Sequence, residues 1–98
     1  MLVSSFLKVG KENALSIEYL KEMTGLEGRE VQRLIANERL NGLPILSTPA
    51  GGYFMPGSEW EVQTFVNSMR HRAGEIIEVA DAVEKTHKQW MEENRNAQ

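Results

Sequence analysis

The chain contains no cysteine, which excludes a disulfide framework and any thiolate metal centre and fits a reducing, cytoplasmic setting. Long apolar runs are missing as well. No stretch approaches the ~20 residues that a membrane helix needs, and the mildly apolar start from Met1 to Val9 is too short for the core of a secretory signal. A soluble intracellular protein with no membrane partner is expected. Cations are scarce: 11 Lys and Arg stand against 14 Asp and Glu, for a formal charge of −3. That balance argues against a strong electrostatic grip on nucleic acid, whose affinity comes largely from Lys and Arg neutralising phosphates. The deficit is local, because residues 1–58 carry six basic and six acidic side chains whereas 59–98 carry five basic and eight acidic ones.

Catalytic patterns are also absent. No Ser-His-Asp arrangement is legible, and Gly51-Gly52 lacks the following Lys-Ser/Thr that a phosphate-binding loop requires. His71 and His87 lie far apart in one helix with no histidine at i±4, so they do not form a metal site. Glu75, Glu78, Asp81 and Glu84 read as the solvated face of that helix. These absences argue against an enzyme, and no cofactor, metal or small-molecule substrate is expected.

What is present suffices to fold. Hydrophobic residues make up 41% of the 98 positions and charged residues 26%, which places the chain with ordinary folded domains rather than disordered ones. Its length fits one compact domain plus an appended element. Leu2, Val3, Phe6 and Leu7 recur at helical spacing and predict a short first helix from about Val3 to Val9, ending near Gly10, with a turn at Lys11-Glu12-Asn13. A second helix opens at Leu15-Ser16, where Ser16 can cap the free backbone N–H groups and Leu15 can pack on Leu20. It closes at Thr24-Gly25, glycine being suited to a left-handed C-terminal position.

A third helix is predicted from Glu27 or Gly28 to Leu40, with Val31, Leu34 and Ile35 on the packed side and Arg29, Gln32, Arg33 and Ala36 on the free side. Asn41-Gly42 and then Pro44 end it. Ile45 to Thr48, the turn Pro49-Ala50-Gly51-Gly52, and Tyr53 to Met55 read as a two-stranded β-hairpin. Its apolar face, with Ile45 and Phe54, must lean on the helices, since a lone hairpin is marginal in water.

Pro56-Gly57 breaks the chain again, and from Glu59 to about Asn94 there is no proline and only Gly74 among glycines. This is the longest predicted helix. Val62, Val66, Met69, Ala73, Ile76, Ala80, Val83, His87 and Trp90 follow steps of four and three, the spacing of a coiled-coil seam. The first two turns are expected to fold back on the preceding domain. A helix of this length would span ~54 Å at 1.5 Å per residue, more than a domain of that size can cover, so self-association beyond Met69 is expected. The chain thus divides into a domain over 1–57 and a long amphipathic helix over 58–98, within a mainly α (α+β) fold.

Helix, turn, helix, then hairpin is the order of a winged helix-turn-helix, in which the second helix of the pair enters the DNA major groove. Arg29, Gln32 and Arg33 are the candidate groove contacts, since Arg can pair with guanine and Gln with adenine; Asn37, one turn on, extends them. Thr48, Gly51 and Gly52 of the wing can approach a phosphate through their backbone but bring no charge. The alternative is a solvated face on which Glu27 and Glu30 pair with the arginines.

The chain resembles the small winged-helix proteins of phages and prophages. The resemblance covers residues 2–57 and rests on Gly10-Lys11-Glu12-Asn13-Ala14-Leu15-Ser16, Arg29-Glu30-Val31, Arg39-Leu40-Asn41-Gly42-Leu43-Pro44-Ile45 and Gly52-Tyr53-Phe54. It implies a double-stranded DNA-binding protein, in transcription regulation or as a replication or packaging accessory, and it implies no enzyme activity. Two positions depart from the pattern. Lys21 stands where helix-turn-helix units favour a small residue, and Glu27 stands where a Ser, Thr or Asp cap is usual. The expectation is a homodimer joined through the C-terminal helix, with a winged-helix protein-interaction or assembly adaptor as the alternative.

Overall fold

The computed structural model describes residues 1–95. It forms two compact units that meet between Phe65 and Val66. The first unit begins with a 3-10 turn, Val3–Phe6, rather than an α-helix. The apolar spacing misled here because the following backbone is drawn into extended pairing. Met55 N–H donates to Lys8 O at 2.8 Å, Gly10 N–H donates to Met55 O at 2.9 Å, and Val9 bridges Met55. Gly10 itself takes φ 94°, which a side chain would resist and which ends any helix there. A second 3-10 turn, Lys11–Asn13, occupies the predicted turn.

Leu15–Ser16 forms strand β1, and helix α1 follows at once as Ile17–Thr24. Ser16 Oγ accepts from Tyr19 N–H at 3.1 Å, the N-cap that its position implied. Gly25 closes the helix in the left-handed conformation and donates to Lys21 O at 2.8 Å. Thr24 stiffens the turn: its hydroxyl donates to Leu20 O and accepts from Leu26 N–H. Helix α2 is Gly28–Leu40, and its N-cap Glu27 makes no side-chain cap hydrogen bond.

The hairpin predicted after Pro44 is present as β2, Leu46–Ser47, and β3, Gly52–Phe54. It is part of a three-stranded antiparallel sheet in the order β1-β3-β2, not an isolated pair. Leu15 lies opposite Tyr53 and Ser16 opposite Gly52, while Leu46 lies opposite Phe54. The third strand was illegible because two residues carry no alternation, and Ser16 serves both as strand end and helix cap.

Val3, Leu20, Val31, Ile35 and Ile45 form the buried core, with Phe6, Leu15, Ile17, Leu34 and Tyr53 packed on it. Among the described residues the one charged group buried with them is Glu38. Its carboxylate accepts from Val3 N–H at 2.7 Å and from Ser4 N–H at 2.9 Å. Those are N–H groups that a helical turn leaves without an internal acceptor, so α2 caps the N-terminal turn from the side.

Helix α3 is Glu59–Asn94. Its first turns, through Phe65, belong to the first unit. Glu61 and Phe65 hold them. Glu61 accepts from Lys11 N–H at 2.8 Å and from Gly57 N–H at 2.7 Å. The Arg39 guanidinium lies over the Phe65 ring, 5.0 Å from its centroid. From Val66 onward α3 is the second unit, and its side chains through Glu93 are exposed apart from half-buried Val66. No helix of the described residues is long and apolar enough to cross a membrane.

Candidate nucleic-acid interface

Helix α2 buries Val31, Ile35 and Glu38 and leaves Arg29, Gln32, Arg33, Ala36 and Asn37 exposed. The split follows from the 3.6-residue period: positions 31, 35 and 38 share one side, and 29, 33, 36 and 37 fall opposite. Leu40 continues the free side at 88% exposure. The docked side is held by the apolar core and by Glu38, so the free side is carried on a fixed support.

The four predicted residues of α2 are thus together on one exposed face, but they are not electrostatically alike. Arg33 is paired with Glu30 one turn back, with Nε donating to Oε2 at 3.1 Å and Nη2 donating to Oε1. This fork lowers the Glu30 pKa, chiefly through the hydrogen bonds from Arg33, and raises that of Arg33 for the same reason. Arg29 has no ion-pair partner among the described residues. Asn41 Nδ2 donates to the backbone carbonyl of Asn37 at 2.8 Å and, at 3.4 Å, to Asn37 Oδ1. Gln32 is exposed.

The wing residues have a different role from the one their sequence suggested. Gly51 N–H donates to Thr48 O at 2.9 Å, and Gly52 N–H donates to Thr48 Oγ1 at 3.0 Å. Thr48 N–H in turn donates to Gly52 O at 2.8 Å. The three residues therefore close the turn on itself, and neither glycine N–H is left for a phosphate. Gly51 takes φ 93°, as such a turn demands. Gly52 is required by packing: a Cβ there would come within 2.9 Å of Ala14 Cβ. Only Pro49 and Ala50 lie between Thr48 and Gly51, and no cation occurs from Leu46 to Phe54.

Arg39 was read only as part of a motif, and the structure gives it a positioning role. Its Nε donates to Ile45 O at 2.7 Å, which ties the end of α2 to the entry of β2. Burial lowers its pKa, with the nearby Tyr53 acting in the opposite direction. Nη2 is buried without a hydrogen-bond partner, and the face of Phe65 covers the group instead, a favourable cation–π arrangement. The sequence signal was faint: Arg39 sits beside the packed stripe rather than on it. Glu38 was more accessible to reasoning, since Val31, Ile35 and Glu38 share a helical side.

Among the described residues no cluster of His, Cys, Asp and Glu could hold a metal ion. His71 is engaged with Glu75 at 2.8 Å along α3. Comparison with protein-family profiles, curated protein sequences and solved structures finds no match.

Proposed function

We propose that the first unit is a winged helix-turn-helix that binds double-stranded DNA, with α2 entering the major groove, and that α3 joins two copies so that one complex makes two such contacts. One observation carries this reading. A helix that follows another across the three-residue turn Gly25-Leu26-Glu27, and precedes an antiparallel hairpin, has Arg29, Gln32, Arg33 and Asn37 all exposed, with Arg29, Arg33 and Asn37 on the side opposite its core contacts. That is the order and polarity of a recognition helix. Function is occupancy, with no catalytic step, and pairing of two weak modules raises the effective concentration of the second contact.

The charge on this face limits the affinity in a calculable way. Arg29 and Arg33 can neutralise about two phosphates per copy, so log K should fall with log salt at a slope of about −1.8. Between 50 and 200 mM salt one copy then loses roughly 12-fold and a pair roughly 150-fold. Fluorescence anisotropy on mixed-sequence duplex, from low salt upward, tests this directly. Arg29→Ala should cut the slope by about 0.9 per copy. Glu30→Gln should tighten binding, because it frees the Arg33 fork and removes a negative charge from the phosphate side. Unchanged affinity in Arg29→Ala and Arg33→Ala would reject the contact face.

The electrostatics favour a second reading, an adaptor whose α2 face meets a protein. Glu27 and Glu30 balance Arg29 and Arg33 on or beside that face, and the wing is uncharged. Such a protein would show no duplex binding above background at low salt, where phosphate contacts are strongest.

A further inference from the structure

Four large apolar side chains within two turns of α3, Ile76, Ile77, Val79 and Val83, are each at least 60% exposed. They are wider than a simple seam. With Val66 at heptad position a and Met69 at d, Ala73 and Ala80 fall at a, while Ile76, Val83 and Trp90 fall at d. Ile77 then lies at e and Val79 at g, both flanking the seam. Between Val66 and Met91 the outward positions b, c and f carry no large apolar side chain, and the His71–Glu75 pair lies there. The exposed strip therefore has two edges as well as a centre, and an occupant must match all three.

We infer that α3 pairs with α3 of a second copy in an antiparallel coil, with the two-fold axis passing between Ile77 and Val79. This rests on the self-association of α3 and not on DNA binding. Reversing the partner sets a against d, e against e and g against g. In this register Ala73 meets Val83 and Ala80 meets Ile76 of the second copy, so each small side chain faces a large one. On the edges, Ile77 meets Ile77 and Val79 meets Val79, which covers both of the off-seam apolar groups. Arg70 meets Glu84 of the second copy, and symmetry makes that pair twice.

The other arrangements fail on the same residues. A parallel coil stacks Ala73 on Ala73 and Ala80 on Ala80, and it sets Arg72 against Ile77 and Glu84 against Val79. Shifting the antiparallel pair by one heptad sets Ile77 against Arg70 in one direction and against Glu84 in the other. Only the register stated here joins opposite charges at e while keeping apolar groups together.

The natural absence of cysteine allows one spin label to be placed without further changes. Full-length Ser68→Cys, labelled and measured by double electron–electron resonance, should give a separation of at least about 30 Å, from roughly 20 residues of helical rise. A dimer with labels closer than about 20 Å overturns the antiparallel orientation but leaves self-association standing. A monomer in light scattering at 100-fold the label concentration overturns both. Arg70→Glu should weaken the dimer about tenfold by turning two attractive pairs repulsive, and adding Glu84→Arg should restore it. Both sites are exposed on the helix, and circular dichroism checks that helicity is kept. A double variant as weak as the single one overturns the register.

Discussion

Replacing Glu38 should unseat the N-terminal turn and destabilise the first unit more than any surface change. The side chain is 3% exposed and is the acceptor for two backbone N–H groups, Val3 at 2.7 Å and Ser4 at 2.9 Å. A hydrogen bond to a charged group contributes about 1.5–3 kcal/mol, and an abandoned buried donor costs about 1–3 kcal/mol. The carboxylate also pays for its own burial, and that cost disappears with it. For Glu38→Ala the net loss should be about 2–4 kcal/mol, or roughly 10–25 °C in Tm for a unit of this size. Glu38→Gln separates hydrogen bonding from packing. It keeps the shape and one acceptor but turns an NH2 group toward a donor, so about half the loss is expected, roughly 1–2 kcal/mol. Equilibrium urea unfolding of the full chain, read at the amide resonances of Leu20 and Val31, measures both. Exchange of the Val3 amide should quicken by the same ratio as the stability falls. A Glu38→Gln protein as stable as the parent, to within about 0.5 kcal/mol, would refute the capping argument.

Two further outcomes follow from the contacts around the sheet and the start of α3. The Glu61 pKa is lowered, first by the N–H of Lys11 and next by that of Gly57; its stabilising contribution is therefore complete above the unfolded value near 4.5 and is lost as pH falls through the lower folded value. Glu61→Gln should flatten that acid limb in a series of melts below pH 5, and an identical pH profile would show that the loop clamp contributes nothing. Gly52→Ala places a Cβ within 2.9 Å of Ala14 Cβ and should cost about 1–3 kcal/mol, measured by thermal unfolding; the pair Gly52→Ala with Ala14→Gly should recover much of it, and failure of that rescue would put the cause elsewhere.

Much of the local structure could be read from residue order alone. Ser16, Gly25 and Pro44 mark boundaries because each limits the backbone at its own position, through a cap, a left-handed turn or a missing N–H. The two sides of α2 and the apolar stripe of α3 follow from a period that needs no knowledge of neighbours. Tertiary structure decided whatever depended on a distant partner. The Val3–Val9 segment abandons its helical pattern because Met55 supplies extended hydrogen bonds, and Leu15–Ser16 becomes a strand because β3 offers an open edge. Glu38 is claimed by the N–H groups of Val3 and Ser4, and Glu61 by that of Lys11. Whether a polar group is open to a ligand or already satisfied depends on what folding brings within about 3 Å of it, and no local pattern encodes that distance.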